Sequence, residues 1–148
     1  MKRCSSGGGD LRLSSEPGAS ESARDRIGEL IDRWNMDVTG DHDYRPVVIF
    51  LRDADDRVRG GITGGVWGGW LHVVALWVDV PLRGRGVGRE LLLAAEREAR
   101  DHGAGHAFLE THSFQAPRFY ERLGYRVFGV LEDYPPGERQ YFMRKDLA

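Results

Sequence analysis

The run Arg83-Gly84-Arg85-Gly86-Val87-Gly88 has the composition of an anion grip. Alternating glycines let a backbone turn tightly and aim successive N–H groups into one concavity. The apolar spacing that follows predicts a long helix beginning here, and the first N–H groups of a helix lack partners and carry its positive dipole end. Such an end suits a pyrophosphate, with Arg83, Arg85 and Arg89 adding positive charge. Two other phosphate loops do not fit. A P-loop requires Gly-Lys-Ser/Thr, which is absent. The dinucleotide fingerprint reads G-x-G-x-x-G, whereas this run reads G-x-G-x-G and opens the second half of the chain. On these residues alone, a plain glycine-rich turn before a basic helix start is an equal reading.

The surrounding elements must hold that loop. Trp70–Val80 predicts a long strand ended by Pro81. Gly86–His102 predicts the strongest helix: Val87, Leu91, Leu92, Ala95 and Ala99 line one face, while Arg89, Glu90, Glu96, Arg97 and Arg100 line the other. His106–Thr111 predicts a strand, so strand–helix–strand demands a parallel crossover. Upstream, a short strand at Asp10–Leu13 precedes a helix from Ser20, with Ile27, Leu30, Ile31 and Trp34 on one face. Pro46–Arg52 and Val58–Val66 predict a hairpin. In its second strand Gly60, Gly61, Gly64 and Gly65 suggest close approach of backbone or of a large neighbour. Ala116–Leu123 predicts a short helix, and Tyr125–Leu131 and Gln140–Lys145 predict two last strands. Hairpins and crossover together predict a mixed α/β sheet with helices on both faces.

The 148 residues suit one domain with its own core. Residues 1–9 are of low complexity and are expected to be a disordered tail, leaving 10–148 as the domain. A net charge of −2 does not suggest nucleic acid as partner. No apolar run approaches the ~20 residues of a membrane span, and MKRCSSGGGD is not followed by the apolar stretch of a secretory signal. The one cysteine, Cys4, excludes an internal disulfide and fits a reducing cytoplasm. His102 and His106 flank two glycines and cannot share a helical face, so no metal site is expected.

Arg83-x-x-Gly86-x-Gly88 resembles the R/Q-x-x-G-x-G/A motif of the GNAT superfamily of N-acetyltransferases. Leu76-Trp77-Val78-Asp79 ends just before it, as that family's central strand does. Ala116-Pro117-Arg118-Phe119-Tyr120-Glu121-Arg122-Leu123-Gly124-Tyr125 is similar to the A-x-x-F/L-Y-x-x-x-G-F/Y segment, and Tyr141–Leu147 to the last strand. The resemblance spans about residues 10 to 147 in order. It implies a single-domain, mostly antiparallel sheet of six or seven strands with a central splay between Trp70–Val80 and His106–Thr111. It implies acetyl-CoA as cosubstrate, with pantetheine on the backbone of Leu76, Trp77 and Val78 and the diphosphate on Gly84, Arg85, Gly86, Val87, Gly88 and Arg89. Ser113 stands where the family often has Asn, and its hydroxyl is expected to bond a pantetheine amide.

The implied chemistry is attack of an amine on a thioester. An N–H at the strand end, that of Val78, is placed to polarise the carbonyl. Tyr120, read from its helix alone, is core packing; the motif makes it the general acid for the departing thiolate. Glu110 is the candidate base, with His112 and His72 as rivals. The resemblance puts the acceptor between Asn35–Arg45 and Glu132–Arg139, so Trp34, Asp41, Tyr44, Trp70, His112 and Tyr134 are expected to touch it. Acidic groups there favour a cationic amine. The expected partners are thus a small-molecule or peptide amine and, through the glycine-rich hairpin, a second copy of the chain. A non-catalytic acyl-CoA-binding module shares the loop and differs at Tyr120.

Overall fold

The computed structural model describes residues 11–147, in two compact units, the first ending at His42 and the second beginning at Asp43. The expected tail at 1–9, with Cys4, lies outside the described residues. So does Asp10; the strand expected at Asp10–Leu13 is, over Leu11–Leu13, a single bridge at Arg12. The first unit carries helix α1 (Glu21–Thr39), whose N-cap Ser20 accepts from the Ala23 N–H and whose C-cap Gly40 is left-handed at φ 70°. Both boundaries follow from ordinary capping chemistry.

The second unit is built on β1 (Arg45–Arg52), β2 (Val58–Trp67), β3 (Trp70–Val78), α2 (Val87–Asp101), β4 (His106–His112), α3 (Pro117–Arg122), β5 (Arg126–Glu132) and β6 (Arg139–Asp146). The strands form one sheet in the order β1-β2-β3-β4-β6-β5. Every neighbouring pair is antiparallel except β3 and β4, which the α2 crossover makes parallel. The sheet is thus mixed and mostly antiparallel. β3 stops two residues short of the expected Val80, because Val80–Leu82 closes a 3-10 turn in which the Leu82 N–H bonds the Asp79 carbonyl.

α2 and α3 share one face of this sheet. A Cβ built on Gly60 of β2 would lie 3.6 Å from Leu91 of α2, and one on Gly88 of α2 would lie 3.5 Å from Phe119 of α3. Beneath them Val47, Ile62, Leu71, Val73, Leu92, Ala95, Leu109 and Met143 form the core. Glu96, expected on the solvent face of α2, is instead fully buried. Lys145 of β6 places its ammonium 2.8 and 2.9 Å from the two carboxylate oxygens, and the Tyr125 hydroxyl donates to one of them at 3.1 Å. A buried carboxylate persists only when so paired. Periodicity assigns it to the wet side because the partner ammonium comes from 49 residues away.

The four β2 glycines are explained inside the sheet. A Cβ at Gly60 would lie 3.1 Å from the Trp77 carbonyl, one at Gly61 3.0 Å from the Ile49 carbonyl, one at Gly64 would overlap the His72 carbonyl, and one at Gly65 would overlap the Tyr44 ring. Gly64 matters most. Register shifts between Thr63 and Gly64, which pair with Ala75 and Val73, leaving Val74 as an extra residue in β3. Such a bulge bends its strand. Pairing of β3 with β4 ends at Val73, immediately before the bulge. Gly64→Ala is expected to force this close approach apart and destabilise the fold by about 2–3 kcal/mol, read as a lower urea midpoint. A midpoint unchanged from wild type would show that the bulge does not depend on Gly64.

Candidate active site

Past Val73 and Leu109 the two parallel strands diverge, and the fork opens into a cleft of about 950 Å³. One wall is Val73–Val78, the other Leu109–Thr111; α2's first turn and α3 close the remaining sides. Alternation along β3 decides what its wall offers. The Val78 carbonyl accepts from the Arg83 guanidinium at 2.9 Å, while the next N–H, that of Asp79, bonds Arg59 of β2. Successive residues of a strand turn their polar groups to opposite sides, so the N–H of Val78, and of Leu76 two residues earlier, faces the opening. Those of Trp77 face β2. The Arg59 guanidinium also holds the Asp79 carboxylate at 2.7 Å and fastens this strand end.

Gly84 and Gly86 have φ of 73° and 82°, left-handed values that favour glycine, and a Cβ on either would project into open space. Gly86 is the N-cap of α2; the first bond into the helix runs from the Glu90 N–H to the Gly86 carbonyl. The amides of Val87, Gly88 and Arg89 therefore have no partner within the helix. Gly84, Gly86, Val87, Gly88, Arg83 and Arg89 all line the cleft. Arg85 does not: between two left-handed glycines it faces solvent. Arg83 clips the strand end as well as lining the cleft, and Arg89 pairs with Glu90 at 2.9 Å.

Tyr120 lines the cleft from the α2–α3 side, 9% exposed, its ring edge-on to Phe119 and Tyr125. Burial raises its pKa above the ordinary phenol value. Tyr125, behind it, is raised further, first by burial and then by the Glu96 carboxylate. Both phenols stay protonated at neutral pH, so Tyr120 has a proton to give. A pKa raised on folding has a second consequence. Below about pH 10, the ordinary phenol value, it does not alter stability; above it the unfolded chain sheds protons that the fold retains, and stability falls by up to about 1.4 kcal/mol per pH unit per group. The drop between pH 9.5 and 11 in urea titrations is expected to be shallower in Tyr125→Phe. Equal slopes would mean that Tyr125 titrates alike in both states.

Glu110, His72 and His112 stand on the opposite face of the sheet from Tyr120. Ala107, Leu109 and Thr111 turn into the core, so Phe108, Glu110 and His112 turn outward. Glu110 also lines the cleft. His112 stacks on Phe114 at 5.0 Å and lies 5.6 Å from the Tyr134 ring, so these two expected acceptor residues are neighbours. Trp70 stacks on His106 and lies under the Arg144 guanidinium at 4.8 Å. Tyr44 covers Gly65. Trp34 and Asp41 belong to the first unit, and α1 extends to Thr39, so Asn35–Thr39, expected in a loop, are helical.

Ser113 does not line the cleft. Its hydroxyl donates to the Glu138 carboxylate and accepts the Arg139 N–H at 3.0 Å, closing the β5–β6 loop onto the end of β4. Phe114 and Gln115 line the cleft in its place. Gln115 is held by the Thr111 hydroxyl at 3.3 Å and the His112 N–H at 2.8 Å, both donating to its side-chain oxygen. The only sequence signal for it is position, one residue ahead of the Ala116 that opens the α3 motif. Among the described residues no three His, Cys, Asp or Glu side chains gather as a metal site would require.

The chain resembles known proteins along most of its length. Its residues 11–125 match the model of the acetyltransferase (GNAT) family. Blasticidin-S acetyltransferase of Streptomyces morookaense is 46% identical over 107 residues, covering 70% of this chain and 79% of that protein. Acetyltransferase Atu2258 of Agrobacterium fabrum is 34% identical over 127 residues, covering 86% and 93%. The crystal structure of an acetyltransferase from Bacillus cereus superposes with a TM-score of 0.77 at 30% identity, covering 92% of this chain and 97% of that one. A forked β3–β4 pair, amides unpartnered at the start of α2 and a phenol in the cleft between them agree with that match, and the chain belongs to the GNAT acetyltransferase family.

Proposed function

We propose that this acetyltransferase moves the acetyl group of acetyl-CoA to a primary amine of a small molecule by direct attack, without an acyl-enzyme. The observation that carries this reading is the fork itself: Tyr120 on one face, Glu110 on the other, and the glycine turn at its end. The amides of the Gly84–Arg89 turn hold the diphosphate, and the inward N–H of Leu76 bonds pantetheine as an added strand would. The N–H of Val78 stabilises the oxygen that becomes negative. Glu110 takes one proton from the substrate ammonium, the lone pair so freed attacks the carbonyl to form the C–N bond, and the second N–H proton passes to solvent as the tetrahedral intermediate collapses. The C–S bond then breaks, and the thiolate takes the proton of Tyr120. Tyr120 recovers its proton from solvent.

On the acceptor side, His112 and Tyr134 stand together on the sheet's outer face at the end of β4 and, in this reading, meet the amine. Blasticidin S, for which the relative above is named, is a fitting first acceptor to try. The working state in this reading is a cytoplasmic homodimer. The dimer draws its support from edge strand β5, which exposes Val127, Phe128, Val130 and Leu131, and not from the glycine-rich hairpin, whose glycines meet neighbours within the sheet. Light scattering coupled to size exclusion reads that state directly.

The test is thiol release from acetyl-CoA over blasticidin S, spermidine, lysine, glycinamide and a peptide with a free N-terminus. Turnover on a small amine and none on the peptide is the expected pattern. Tight acetyl-CoA binding with no thiol release on any amine would overturn the catalytic reading.

A further inference from the structure

Glu110 does not stand alone at the outer mouth of the fork. The His72 Nε2 lies 3.1 Å from its Oε2, across from β3 to β4. Of the two histidines on this face that flank Glu110, only His72 touches it; His112 makes its ring contacts with Phe114 and Tyr134. His72 is itself held. Its ring lies flat on Phe108, with centroids 4.3 Å apart and 5° between planes, and Phe108 meets Trp70 edge-on at 6.1 Å. The contact falls at the last paired rungs of the two strands, since His72 pairs with Phe108 and Val73 with Leu109.

We propose that His72 is the positioning residue of the base: it fixes one carboxylate oxygen of Glu110 and leaves the other directed at the incoming amine. The inference rests on the reading of Glu110 as base. Its physical content is entropic and directional. A free glutamate side chain samples several rotamers, and holding it in one carries an entropic cost at the moment of reaction. A ring already immobilised by stacking removes that cost in advance. With its Nε2–H as donor, His72 also gives that carboxylate oxygen a fixed hydrogen-bond partner. The proton leaves the ammonium nitrogen, arrives on the free Glu110 oxygen, and is released to solvent once the amide has formed.

The experiment uses the full chain and the panel amine with the highest wild-type rate, alongside glycinamide as a weakly basic probe. His72→Leu is expected to lower kcat at least tenfold with KM for acetyl-CoA within twofold. His72→Gln, whose amide N–H can occupy the donor position, is expected to restore most of the lost rate. The loss is expected to be larger for the strongly basic amine, which arrives protonated, than for glycinamide. A structural role at the fork would slow both amines equally and raise KM for acetyl-CoA; that result overturns the proposal. So does wild-type kcat in His72→Leu. Glu110→Gln separates the two levels: if it is slow while His72→Leu is not, only the positioning role falls. Wild-type turnover in Glu110→Gln removes the base assignment, and the positioning role with it.

Discussion

Tyr120→Phe is expected to lower kcat about a hundredfold while the affinity for acetyl-CoA, measured by calorimetry, changes less than threefold. The substitution removes one oxygen and keeps the ring that packs edge-on against Phe119 and Tyr125. In the proposed mechanism the lost oxygen is the proton donor for the thiolate, and a positioned acid contributes about 10²–10⁴ to rate. Burial raises the Tyr120 phenol, which by itself makes it a weaker acid. The departing thiolate stands in the same low-dielectric cleft, and desolvation raises its proton affinity too. The match between a thiol near 8.5 and a phenol near 10 in water therefore survives the transfer. Because the phenol stays neutral past pH 10, its ionisation is expected to leave the kcat profile flat up to that point. Unchanged kcat in Tyr120→Phe would take this hydroxyl out of the mechanism.

Gly86→Val is expected to weaken acetyl-CoA binding about a hundredfold with little change in the core. Two terms act together. At φ 82° a β-branched residue is strained by roughly 1–2 kcal/mol, which pushes the turn toward a different backbone. The amides of the first turn of α2 then lose their aim, and each charge-assisted hydrogen bond they forfeit is worth about 1.5–3 kcal/mol. No atom lies within 4 Å of the added Cβ, so the protein interior is not overpacked. Thermal unfolding without ligand is expected to shift by only a few degrees, whereas the stabilisation by saturating acetyl-CoA nearly disappears. Wild-type affinity in this variant would mean the diphosphate is held elsewhere.

Much of the scaffold was legible in the chain because its signals are local. Ser20 caps α1 where capping chemistry predicts, and Pro81 lies in the 3-10 turn that follows β3. The apolar stripe of α2 is the face it buries, and the strand–helix–strand order makes β3 and β4 parallel. The glycines at 84 and 86 are left-handed, as a tight turn before a helix requires. Each of these depends on residues within a turn or two of one another.

Features that need partners distant in the chain emerge only once the sheet is assembled. The position of Ser113 predicts a ligand contact, but Glu138 and Arg139 claim its hydroxyl from 25 and 26 residues away. Helical periodicity predicts Glu96 as a solvent charge, and Lys145 makes it a core residue. Local chemistry is enough to give the order of elements, the glycine turn ahead of α2 and the presence of Tyr120 on α3. It does not give the Val74 bulge that opens the fork, nor the approach of His72 to Glu110. Both arise where two strands meet, and a pairing register is a property of the assembled sheet rather than of either strand.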